Sequence, residues 1–269
     1  MEASSVIDTT PSSAPWRPGI WGGLGVVVLY PVLQVIVAVV LGLLAALGYG
    51  IVQGGQGHKL SQAAVQQALR SPDVKTGFTV VTIAVVAVLM LWIIRRRWRG
   101  QWAVANPPGF GFVWPQGGIW FLYAGLAGVA VALLGGMLTT WLAHGHAVQQ
   151  DVTMMGLHVS LGMRVTLAVL VVCVAPLVEE LIFRGVLLSG LMSRMKAGWA
   201  VALSALIFGC VHLPDFKFAW YAIPALVLLG VVLALLRLRT RSLWPAMAAH
   251  AANNLMATIA WFVAAHPHA

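Results

Sequence analysis

Glu179 and Glu180 stand side by side in the stretch APLVEELIFRG (Ala175 to Gly185), and Arg184 follows four residues after the second glutamate. The surrounding run is apolar and long enough to cross a bilayer. A charge at mid-bilayer costs at least roughly 2.5–3.5 kcal/mol, so such groups face a protein interior, pair with one another or mark a functional path. Five of the 7 acidic residues lie outside the apolar runs; Glu179 and Glu180 are the exceptions. His212, His250, Asn253 and Asn254 are the other strongly polar residues placed inside such runs. Glu180 and Arg184 have the i, i+4 spacing, glutamate first, that favours an ion pair on one helix face. Glu179 points about 100° away from that line and is left over.

Two further pairs share this spacing, Phe208 with His212 and His250 with Asn254. Each places a polar group on one helix face. A carboxylate, two imidazoles and an amide suit hydrolysis: Glu179 as general base on a water also held by His212, with His250 and Asn254 donating hydrogen bonds to a developing oxyanion. Ser189 and Ser204 sit in no nucleophile motif, which disfavours covalent catalysis. The same Glu179, His212 and His250 also form a two-histidine, one-carboxylate set that suits a catalytic zinc, although no HExxH helix is present. The residues leave both versions open; the reading favours no obligatory metal, with zinc as the alternative.

The elements that must position these groups are helices. Seven apolar runs are expected to span, at about 20–52, 77–94, 119–143, 165–193, 198–213, 218–236 and 243–264. The first exceeds one straight crossing and is expected to tilt or bend at Pro31. The fourth and fifth form a hairpin turning near Lys196. Glu179 lies 17 residues before that point and His212 16 after it, so both sit roughly 25 Å from the turn and can meet. Arg184 and Phe208 fall at similar depth for the same reason. Counted from Leu243, Asn254 is 11 residues in, roughly 17 Å. That is a mismatch unless the hairpin projects beyond the bilayer. Pro176 removes a backbone donor and is expected to kink the helix beside the glutamates.

Composition places the chain in lipid: 269 residues, 60% hydrophobic, 9% charged, mean hydropathy +0.90. Soluble domains carry about 25% charged residues. The net charge of +9 does not indicate nucleic acid, because basic residues gather at the ends of apolar runs, where they set topology and meet anionic lipid. Arg17, Arg95, Arg96, Arg97, Arg99, Arg194, Lys196, Arg237, Arg239 and Arg241 fall on one side. Lys59, Arg70, Lys75, Arg164 and Lys217 fall on the other. The positive-inside rule puts the N-terminus in the cytoplasm and the C-terminus outside, in the plasma (inner) membrane for a bacterial chain. No cleavable signal peptide is read in residues 1–16. Residues 53–76 are expected to include a short amphipathic surface helix, and 100–118 to be an interfacial connector. His58, His144, His146, His158, His266 and His268 read as solvated loop or tail histidines. Cys173 and Cys210 read as small buried residues.

The motifs EELIFR (Glu179 to Arg184), FGCVH (Phe208 to His212) and HAANN (His250 to Asn254), in this order on successive membrane helices, resemble EExxxR, FxxxH and HxxxN of the CPBP intramembrane proteases. That family includes the type II CAAX prenyl endopeptidases and bacteriocin-processing or immunity homologues. The resemblance covers about residues 165–264 and leaves the first three spans without a signature. It implies Glu179 as catalytic glutamate, His212 as its partner and His250 with Asn254 as the oxyanion pair, with Glu180 and Arg184 completing the first motif.

The expectation is therefore an all-α polytopic transmembrane bundle of about seven spans. Residues 1–164 form an N-terminal membrane region, and 165–269 a catalytic core in the last four helices. Its expected activity is that of an intramembrane endopeptidase acting on a peptide or membrane protein. A transporter, which usually spreads polar groups along a path, and a non-catalytic scaffold or immunity protein are the alternatives.

Overall fold

The computed structural model describes residues 17–55, 66–67 and 69–264. The described residues are helical with no strand. Eight helices set the frame: α1 (Ile20–Gly55), α2 (Pro72–Arg97), α3 (Ile119–Ala143), the short α4 (Asp151–His158), α5 (Leu161–Met192), α6 (Ala197–Val211), α7 (Ile223–Thr240) and α8 (Trp244–Ala264). Five are long and apolar enough to cross a membrane, namely α1 up to Tyr49, α2, α3, α5 and the stretch Trp220–Thr240 that contains α7. The chain is a polytopic integral membrane protein. α6 has only 15 residues, and α8 is diluted by His250, Asn253 and Asn254 along its 21 residues.

α1 runs 36 residues unbroken past Pro31. Most of the expected amphipathic helix, together with His58, His266, His268 and residues 1–16, lies outside the described residues.

Small residues let the helices close on α5 and on one another. Gly230 of α7 faces Ala205 of α6, where an added Cβ would come within 2.9 Å. Gly128 of α3 lies against the Ala249 backbone of α8. Without a hydrophobic drive between helices in lipid, this kind of close backbone approach holds membrane bundles together. The outer faces carry apolar side chains such as Val28, Leu43, Leu126 and Met137, and Cys173 and Cys210, expected to be buried, are exposed there too.

Two expectations change at the basic end of the bundle. The 100–118 segment is more than a connector: Phe110 and Gln101 are buried, and Phe110 meets Trp98 and Trp102 edge-on. Arg237 is not a rim charge but fully buried in α7. Its Nη2 donates to the Gly109 carbonyl at 2.7 Å, and its guanidinium lies over Gly111, whose φ of +74° suits a residue without Cβ. The same segment accepts from Leu243 N at Gly111 (2.8 Å) and from the Ser242 hydroxyl at Val113 (2.6 Å). It lies 3.5 Å from the Ser189 hydroxyl at Gly109.

That tie resolves the depth mismatch. α8 starts level with Ser189, not with the hairpin turn. Glu179 is 10 residues from Ser189 and Asn254 is 11 from Leu243, which is about 15 and 17 Å at 1.5 Å per residue. The hairpin tip, residues 193–196, extends beyond that level.

Candidate functional site

α5 is one helix with two π-helical stretches, Leu170–Val174 and Leu181–Leu187, on either side of Ala175–Glu180. Beside Pro176, where the sequence predicts a kink, the helix carries the first of these. Ala175 N–H bonds the Leu170 carbonyl five residues back. Pro176 has no N–H to offer the next carbonyl, that of Val171. The Asn254 amide takes its place, donating to Val171 O at 3.0 Å. π-bulges of this kind often occur at functional sites because they re-aim side chains within a helix.

The π segments and the α5–α6 hairpin bring Glu179 to two imidazoles. His212 Nε2, at the end of α6, and His250 Nε2, on α8, each lie 3.7 Å from the same Glu179 oxygen, Oε2. Both distances are too long for a direct hydrogen bond. The three groups converge without closing on one another. Glu179 and His212 side chains keep 13% and 20% of their surface accessible, whereas His250 keeps 4%.

The other ring nitrogens are fixed. His212 Nδ1 lies 2.8 Å from the Phe208 carbonyl. A carbonyl only accepts, so Nδ1 carries the proton and Nε2 is turned to Glu179. His250 Nδ1 lies 2.8 Å from Glu180 Oε1, which orients that ring in the same way.

Glu180 is shared. Its Oε1 also accepts from Arg184 Nη1 at 2.8 Å, with both side chains fully buried. Arg184 Nη2 donates to the Gly230 carbonyl of α7 at 3.2 Å. The guanidinium stacks 4.4 Å from the Phe208 ring centroid, so the two residues expected at similar depth do meet. Phe208 in turn touches Phe183, His212 and His250, with ring centroids at 5.1, 4.7 and 5.7 Å. It packs between the charged pair and both imidazoles.

The structure thus gathers Glu179, Glu180, Arg184, His212 and His250 into one cluster. Asn254 lies one turn along α8 from His250, but its bonds go outside the cluster, with one amide hydrogen on Val171 and its oxygen accepting from Asn253 at 3.3 Å. His144, His146 and His158 stand apart from it; His146 and His158 bond nearby backbone carbonyls.

Glu179, His212 and His250 have the donor chemistry for zinc. Ligands about 2.0–2.1 Å from a tetrahedral ion stand roughly 3.4 Å apart, somewhat closer than the spacing found here. No group of three His, Cys, Asp or Glu among the described residues is arranged to hold a metal ion. As placed, the residues do not form a metal centre.

Residues 161–256 match the model of the Rce1-like, type II CAAX prenyl endopeptidase family. No curated protein and no solved structure is matched by the chain. The matched segment contains all six candidate site residues, and the likeness supports a membrane protease of the CAAX type.

Proposed function

We propose that the chain is an intramembrane endopeptidase that cleaves a peptide bond with a water activated by Glu179 and His212. The observation that carries this reading is the approach of two imidazole Nε2 atoms to one carboxylate oxygen, each at 3.7 Å. A water beside Glu179 Oε2 can hydrogen-bond to the carboxylate and to His212 together. Glu179 takes its proton as the oxygen adds to the scissile carbonyl carbon. The electron pair of the C=O bond moves to oxygen, and that oxyanion is met by His250 Nε2–H, when the ring carries its second proton, and by the free amide hydrogen of Asn254. The tetrahedral species collapses as the amine departs with a proton returned from Glu179.

Glu180 and Arg184 act behind the reacting atoms. Glu180 accepts from His250 Nδ1 and so balances charge on that ring, while Arg184 and Phe208 hold Glu180 and the imidazoles in place. No step uses a metal. The basic rim supports an N-terminus on the cytoplasmic side.

The test uses purified protein in nanodiscs and a quenched-fluorescence reporter peptide. Glu179→Ala and His212→Ala should each lose nearly all turnover while keeping the wild-type unfolding temperature within a few degrees. Near-normal cleavage by either variant refutes the assignment.

A further inference from the structure

The matched segment begins at residue 161, yet α1 reaches the site. Gly190 of α5 faces Gly19, and Gly23 faces Leu187: an added Cβ would come within 2.6 Å of Gly19 O and 3.0 Å of Leu187 Cα respectively. Residue numbers rise on one helix as they fall on the other, so the helices run antiparallel. Continued along both axes, this register sets Tyr30 level with Glu180 and Gln34 level with Pro176.

Tyr30 and Gln34 are the only side chains with hydrogen-bonding groups between Trp21 and Tyr49 of α1. They lie on its inward face. Tyr30, Leu33, Gln34 and Val37 are half-buried, while Val28, Val32, Val35 and Ile36 are exposed on the outward face. Tyr30 and Gln34 are four apart and so neighbours on the inward face, and the Tyr30 hydroxyl lies within electrostatic reach of the Glu179 and Asp215 carboxylates. α1 and α6 both pack along α5 but do not pack closely on each other. Glu179 and His212 of α5 and α6 keep part of their side-chain surface accessible.

A peptide bond must leave its helix to be attacked. In a bilayer, an unwound backbone without hydrogen-bond partners costs several kcal/mol per group. A hydroxyl and an amide, each both donor and acceptor, are suited to supply those partners. Resting on the hydrolytic reading of Glu179, we propose that Tyr30 and Gln34 form the far wall of the substrate cleft, hydrogen-bonding main-chain amides of an extended peptide laid across Glu179 and His212. Their side chains add no charge at depth, and they act on substrate backbone of any sequence.

The test compares Tyr30→Phe, Gln34→Leu and the double variant with wild type, as full-length protein in nanodiscs, on a quenched-fluorescence library of apolar decapeptides. The double variant should raise KM about tenfold, the scale of lost neutral hydrogen bonds, with kcat little changed. Methylating the amide nitrogens of the best peptide one at a time should find a position that raises the wild-type KM and leaves that of the double variant unmoved. A wild-type KM in the double variant, or equal sensitivity of both proteins to every methylation, overturns the assignment. If no library peptide is cleaved in a Glu179-dependent manner, the hydrolytic reading falls on its own. The cleft is then read by anisotropy of fluorescein-labelled library peptides on Glu179→Gln protein. Binding weakened about tenfold without Tyr30 and Gln34 supports the wall, and unchanged or undetectable binding removes it.

Discussion

The side-chain amide of Asn254 donates to the backbone carbonyl of Val171 at 3.0 Å, the carbonyl that Pro176 cannot serve. One residue therefore completes the backbone of α5 from a neighbouring helix and still has a second amide hydrogen to turn toward substrate. Asn254→Ala should destabilise the fold by about 1 kcal/mol, the scale of a lost hydrogen bond to a partly buried acceptor. In a Pro176→Ala background, where an N–H returns to α5, the stability cost should shrink; a double-mutant cycle by chemical denaturation in detergent measures the coupling. Turnover should behave differently. Loss of an oxyanion donor costs about 10²–10³ in kcat, and Pro176→Ala should not restore it. Recovery of kcat along with stability would reduce Asn254 to a structural role.

Glu180 and Arg184 should show the asymmetry of buried ion pairs. Removing either partner leaves a buried charge and costs about 3–5 kcal/mol, whereas replacing both with apolar residues of similar volume is often near neutral. Arg184→Met should therefore unfold at lower denaturant than Glu180→Leu/Arg184→Met. The double variant should remain impaired in cleavage, because His250 Nδ1 has lost the carboxylate 2.8 Å away.

Phe208 touches no substrate in the proposed reaction but packs between Arg184 and both imidazoles. Phe208→Leu keeps apolar bulk and removes the ring face. It should lower kcat about tenfold or more with KM little changed, since a small misplacement of reacting groups is costly. A KM effect alone would argue that the residue lines the cleft instead.

Gly111 combines a φ of +74° with a guanidinium where a Cβ would fall. Gly111→Ala should cost roughly 1–3 kcal/mol from backbone strain plus the displacement of Arg237. Limited proteolysis after the 101–113 segment should report its release. An unchanged digestion pattern and denaturation midpoint would contradict the clamp.

If Glu179 and His212 activate the water as proposed, cleavage should persist in protein exchanged into metal-free buffer with a strong chelator. Abolition by chelator with recovery on adding zinc, alongside one bound zinc per chain by mass spectrometry, would move the mechanism to a metal-bound water.

Much of the site was legible because its logic is local. The i, i+4 pairs and the matched counts from Lys196 place Glu179 beside His212 and Arg184 beside Phe208, and a helical hairpin leaves little freedom to do otherwise. Asn254 looked out of register because the level at which α8 starts is set by long-range bonds from Gly109, Gly111 and Val113, which no helical period encodes. Arg237 was misread for a related reason. It sits beside Arg239 and Arg241 at the end of an apolar run, and only the inward folding of the 101–113 segment buries it. The π-helical stretches leave no period of their own, although Pro176 and Asn254 together are their trace. Tyr30 and Gln34 did carry a signal, a polar pair four apart in an otherwise apolar helix, that gains meaning only from the antiparallel fit of Gly19 and Gly23 on α5.

α6 has 15 residues and so reaches only about 22 Å, short of a hydrocarbon layer about 30 Å thick. Its far end, at His212, falls short of a full crossing, and the turn from Leu213 to Ala219 carries Asp215 and Lys217 just beyond it. Lipid there has either to thin or to yield to water. A span this short thins the bilayer beside it, and that would bring solvent nearer to a bond otherwise sealed in oil.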